Sequence, residues 1–233
     1  MKTFRRILAI AIPILIIGAL VTAAYHWNYI PHRRFTSSEK NVPTINVMSD
    51  ADEDNKDDLP DILDSARSYT ESKKPSYEEE FYAGGWPNGN KGMAVDVVNY
   101  GLLGAGYNMR DLIWKDYKLN PHAYKKANME SKDKAFRIVE NLKTYMDRHF
   151  TKVTNDKYEI KEWQGGDIVT FKSGHIAVVS DVRNGNGVAW LVHHFMPMQG
   201  GYEQDVFEYD DWGPVTGHYR IRKDADKIVK EKR

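Results

Sequence analysis

Four histidines in the second half of the chain, His175, His193, His194 and His218, carry most of the chemistry it could do. An imidazole works near neutral pH as a base, as an orienting partner or as a metal ligand. His175 opens a β-rich run in which Ala177 and Val179 share its face, while Ile176 and Val178 point the other way. His193 and His194 are adjacent on another such run, so they face opposite ways and cannot both join one site. A base needs a group to activate, and the 233 residues include no cysteine. That excludes a thiolate nucleophile, a thiolate metal site and disulfides. His175, His193, His218 and nearby aspartates are metal-ligand types, but no HxxxH, HExxH or comparable spacing joins them, so neither metal nor cofactor is expected. His218, ahead of Tyr219 and Arg220, reads as structural, and Asp167 and Asp181 flank strands, where turn and capping roles dominate.

The elements that would position these residues change character along the chain. Ile62, Ala66 and Tyr69 recur at helical spacing after Leu59. Phe81 to Gly92 is too rich in Gly and Pro to be anything but an ordered loop, with Tyr82 and Trp86 placed either to line a groove or to form the loop's own small core. Met93 to Tyr107 reads as a buried helix, Met109 to Tyr117 as a second, and Lys134 to Phe150 as a third whose inner face carries Phe136, Val139, Leu142 and Met146. Asp167–Phe171, His175–Asp181 and Val188–Phe195 are short β-rich runs, and Asn184-Gly185-Asn186-Gly187 between the last two predicts a hairpin turn. Further strands are expected at Asp205–Tyr209 and Gly217–Arg222. Helices first and antiparallel strands second predict an α+β domain, with helices packed on a small sheet.

Charge divides the chain. Residues 1–35 carry +5, residues 36–64 carry −7, and the rest +2, for a net charge of zero. A nearly neutral folded part argues against a nucleic-acid partner. Met1 to Arg6 forms a basic head, and Ile7 to about Ala24 is apolar apart from Pro13, Gly18 and Thr22. That length suits an uncleaved signal anchor, with Trp27 and Tyr29 at the far interface. Val21-Thr22-Ala23 offers the alternative of cleavage and secretion. Lys2, Arg5 and Arg6 favour a cytoplasmic N-terminus and hence a domain outside the cytoplasm. The expected organisation is a cytoplasmic head (1–6), a transmembrane anchor (7–27), an acidic disordered linker (28–58), the α+β domain (59–223) and a charged tail (224–233).

Six blocks then point to a family. Tyr82-Ala83-Gly84-Gly85-Trp86-Pro87, Gly92-Met93-Ala94-Val95-Asp96-Val97-Val98, Trp163 to Val169, His175 to Asp181, Val192-His193-His194 and Gly217-His218-Tyr219-Arg220 resemble, in order across about residues 60–222, the bacterial domain of unknown function 1287, a family related to NlpC-type papain-like cell-wall peptidases. The resemblance implies a papain-like fold in which a thiol at a helix N-terminus is ionised by an imidazole on a facing strand. It implies His175 as that imidazole and His193 as the residue orienting it. Tyr82, Trp86 and Asp96 then lie near the substrate. The family's helix-opening block usually reads Gly-Val-Cys-Thr-Asp-Val-Val, so Ala94 stands where the nucleophile is expected, and Val95 departs from the usual Thr. His194 stands where the family tends to carry Asn. Asp96 lies roughly 200° round the helix from Ala94, a poor position for a substitute nucleophile. The expectation is a membrane-anchored module that binds peptidoglycan stem peptides or a cell-wall protein without cutting. The alternative is an active amide hydrolase using a substitute nucleophile or a metal.

Overall fold

The computed structural model describes residues 2–196, 199–223 and 225–230. Helix α1 (Lys2–His26) leads the chain. Within its stretch from Phe4 to His26, an 18-residue window has a mean hydropathy of 2.7 and is not buried against the domain, so the helix is long and apolar enough to cross a bilayer. The end of α1 is nonetheless docked. The Tyr25 ring stacks on His32 at 3.9 Å, His32 Nδ1 lies 2.9 Å from Asp205, and Gln204 Nε2 donates to the Trp27 carbonyl.

The segment 28–58, expected to run free as an acidic linker, is laid against the domain, and its last residue, Asp58, already opens a helix. Phe35 exchanges both backbone hydrogen bonds with Arg183, at 3.0 and 2.8 Å. Val42, Val47 and Ala51 are buried, and the Ile45 amide donates to Gln164. A few apolar anchors at intervals are enough to order a segment whose average composition is that of a solvated chain.

Helix α2 (Asp58–Lys73) is capped by Asp57, whose carboxylate accepts from the Leu59 amide. It lies against α3 (Ala94–Gly104), and the close approach has a sequence cause. A side-chain carbon at Gly101 would come 2.9 Å from the Ile62 carbonyl oxygen, so only glycine lets the two backbones meet there. Between them, β1 (Ser76–Tyr77) pairs in parallel with β2 (Lys91–Gly92). Helix α4 (Met109–Leu119) follows. The third expected helix is broken into α5 (Lys132–Ala135) and α6 (Val139–His149). Side chains take the carbonyls at the break: Asn99 donates to Phe136 and Asn141 to Ala135.

The sheet contains β3 (Thr151–Lys152), β4 (Ile168–Phe171), β5 (Ile176–Arg183), β6 (Ala189–Val192), β7 (Glu203–Gln204) and β8 (Val215–Arg220) in the order β3-β8-β4-β5-β6-β7, every pair antiparallel. The architecture is α+β, closed by α7 (Ala225–Lys230). Register gives the sheet two buried faces. Ile168, Val178, Val192 and Tyr219 stand opposite one another and pack with the helices in one core. Val169, Ala177, Val179 and Leu191 pack on the other side with Trp163, Phe207 and Trp212. The run expected as a strand over Asp205–Tyr209 is instead a tight turn, Phe207–Tyr209. Phe207 is inserted into the second core, and Lys157 Nζ takes the Phe207 and Glu208 carbonyls in place of a neighbouring strand.

Candidate functional site

The head of α3 is built around a buried ion pair. Asp96 accepts from the Met93 amide at 2.9 Å, which caps the helix. Arg137, turned inward by the break after α5, donates from Nε and Nη2 to the two Asp96 oxygens, both at 2.7 Å, with both side chains wholly buried. Its remaining nitrogen reaches the Glu80 carbonyl, and its guanidinium lies 5.0 Å from the Tyr82 ring centre. Trp86 packs on Tyr100 and Phe136 at 4.8 and 5.0 Å. Three residues expected near a substrate therefore have structural occupations. Asp96 fixes the helix head, Tyr82 covers the arginine, and Trp86 belongs to the loop's own core. Ala94, the first residue of α3, packs against the helix-side core and presents only a methyl group.

The histidines divide between the two faces. His175 Nε2 lies 3.2 Å from His193 Nδ1, so these two are brought together. Their neighbours belong to the far core: Trp212 stacks on His175 at 4.3 Å, and Phe195 and Phe171 lie farther from it, at 6.0 and 5.9 Å. His194 points the other way, toward the helices. It packs edge-on to Tyr77, which pairs with Gly92, two residues before Ala94. The histidine that reaches the approach to α3 is thus His194. It also lines an open hollow of about 370 Å³ together with Pro75, Gln199 and Tyr202. A larger concavity, about 610 Å³, lies elsewhere, between residues 34–45, the start of α2 and Asp181.

The fourth histidine is tied into the sheet. Asp167 accepts from Arg220 Nε and Nη2 at 2.8 and 2.7 Å and from the Gln164 amide at 2.8 Å, and it lies 2.8 Å from His218 Nε2. The His218 ring lies flat on Trp163 at 3.6 Å. The Trp-Gln-Gly-Gly-Asp and Gly-His-Tyr-Arg blocks are therefore two halves of one buried lock between β4 and β8.

A model of the family described as "Domain of unknown function (DUF1287)" matches residues 63–221. The chain belongs to that family. The DUF1287 segment begins inside α2 and ends just after β8, so it takes in the α3 head, all four histidines and the Asp167 lock, and leaves out α1 and residues 28–57. No curated protein and no solved structure gives a significant match.

Two buried imidazoles, His193 and His194, and the partly exposed His175 make stability depend on pH. Burial pushes His175 well below its usual range, with His193 beside it adding to the effect. Burial pushes His193 down to about 3 and His194 to about 4. Each ring takes up its proton more readily in the unfolded chain. Their contribution is therefore complete above about pH 6.5 and is lost progressively as pH falls toward 4, at up to about 1.4 kcal/mol per pH unit per histidine. The urea midpoint should fall steeply between pH 6.5 and 5.5. His193→Gln should remove roughly a third of that slope, and an unchanged slope would rule out a neutral, buried His193.

Proposed function

We propose that this protein is a membrane-anchored, extracytoplasmic binding module on a papain-like (NlpC-type) frame, which holds peptidoglycan stem peptides or a cell-wall protein without cleaving them. Ala94 carries the reading. It heads α3, the position at which the resemblance expects the nucleophile, and the chain has no thiol to replace it. The rest of the site agrees with loss of chemistry. His193, wholly buried, and His175, partly exposed, lie beside Trp212 and Phe195 on the far face of the sheet, while Ala94 packs on the helix side. Asp96 has both oxygens committed to Arg137 and the Met93 amide, so it is no substitute nucleophile. The hollow beside His194 and Tyr202 offers aromatic and hydrogen-bonding groups to an extended peptide. Lys2, Arg5 and Arg6 at the start of α1 favour the domain on the outer side of a cell membrane, or secreted if the anchor is cut.

The test is to incubate the full chain in detergent with muropeptides and follow products by mass spectrometry. Muropeptides should be retained and come off intact, whereas new amide fragments would overturn the proposal. As a second arm, Ala94→Cys should create a thiol that titrates below about 8.5, because α3 points its N-terminus at it. His175→Ala should leave that titration where it is. A thiol that shifts with His175 would mean that a working thiol–imidazole pair is still assembled.

A further inference from the structure

The segment between α1 and α2 contains a feature that the family match leaves out. Counted from Asp50, the seven carboxylates of residues 50–61 fall at positions 1, 3, 4, 5, 8, 9 and 12, and those at 1, 3, 5, 9 and 12 are Asp50, Asp52, Asp54, Asp58 and Asp61. This is the ligand spacing of a twelve-residue calcium loop that runs into a helix, with the backbone carbonyl of position 7, here Lys56, as a further donor. Position 6 of such a loop makes a sharp turn that usually needs glycine. Here it is Asn55 at φ 69°, and asparagine is among the few other residues that adopt this conformation readily.

The fold brings these side chains together. Carboxylate oxygens of Asp50, Asp52 and Asp58 lie within 4.8 Å of one another, and so do those of Asp52, Asp54 and Asp61, with Asp52 shared. Asp50 accepts from the Asp54 and Asn55 amides at 3.0 and 3.1 Å and closes the loop. Asp58 is braced by Tyr107 at 2.5 Å and by the Ala51 amide at 3.0 Å. The independent observation is Asp61. It is 9% exposed, it belongs to the second triad, and its buried Oδ2 has no hydrogen-bond partner among the described residues. A buried carboxylate oxygen left unmatched is costly. The Lys56 ammonium lies 2.6 Å from Asp54.

We propose that residues 50–61 form a binding site for a hard divalent cation, Ca²⁺ in preference to Mg²⁺. Five carboxylates and a carbonyl on a curved loop supply the many oxygens that Ca²⁺ accepts, whereas Mg²⁺ requires a near-ideal octahedron and keeps its waters. Asp61 is one methylene shorter than the glutamate usual at position 12, so affinity falls in the weak range of extracellular modules, a Kd of about 10⁻⁴ to 10⁻³ M. The bound ion would replace Lys56 at Asp54, supply the missing partner of Asp61 and fix the approach to α2.

The test uses the full chain in detergent, stripped with EDTA and titrated with CaCl₂ or MgCl₂ by calorimetry. One saturable Ca²⁺ site is expected, with a thermal midpoint that rises by a few degrees as Ca²⁺ is added. Asp52→Asn and Asp61→Asn should each weaken binding at least about tenfold, while Asp64→Asn, one turn further along α2, should leave Kd unchanged within about twofold. Independently of how any variant folds, terbium luminescence sensitised by Tyr107 in the unaltered chain, displaced by Ca²⁺, gives a second readout. The proposal is overturned by no saturable Ca²⁺ binding up to about 10 mM, by tighter binding of Mg²⁺, or by unchanged affinity when both Asp52 and Asp61 are amides.

Discussion

Asp96→Ala should lower the stability of the domain by about 3–5 kcal/mol, the cost of leaving a buried charge without its partner. Arg137 is wholly enclosed and directs two nitrogens at Asp96, so removal of the carboxylate leaves a guanidinium with nowhere to go. The α3 cap is lost at the same time, which adds about 1 kcal/mol. The decisive comparison is a double-mutant cycle in urea unfolding. If the penalty comes from a stranded charge, Asp96→Ala with Arg137→Met should cost less than Asp96→Ala alone. Additive losses would instead mean that each residue contributes through its own packing.

Asp167→Ala should be of similar size, about 3–5 kcal/mol, for a different assembly. It releases Arg220 and His218 from β8 and the Gln164 amide from the turn before β4. Amide exchange at Val169 and Tyr219, on facing strands, should then accelerate far more than exchange in α4. Arg220→Lys should fall between, because an ammonium keeps the charge but cannot grip both carboxylate oxygens. Equal exchange throughout would show that the lock does not hold β4 to β8.

Periodicity anticipates the α3 and α4 helices to within a few residues, because their apolar side chains recur every three to four positions. The Asn-Gly pairs likewise mark the turn between β5 and β6. Alternation also shows that His193 and His194 must oppose each other. It does not show which of them meets the helices, since a period of two has no absolute side. That choice comes from the whole sheet, and it assigns His194 to the α3 side. The break at Phe136 to Ile138 depends on Asn99 and Asn141, whose partners are distant in sequence or hidden within a helical pattern. Residues 50–61 were obscured for another reason. Summed charge makes them look like a solvated spacer, while the spacing of their aspartates carries a separate message that an average erases.

The docking of residues 25–35 sets how far the domain can work from its helix. An extended chain of some thirty residues would let a tethered domain sweep roughly 100 Å. Here His32 grips Asp205, Phe35 grips Arg183, and Trp27 is tied to Gln204. With α1 in a bilayer, the domain rides on the lipid headgroups like a button sewn flat. A ligand then has to come to the membrane surface, and anything held farther from it lies out of range.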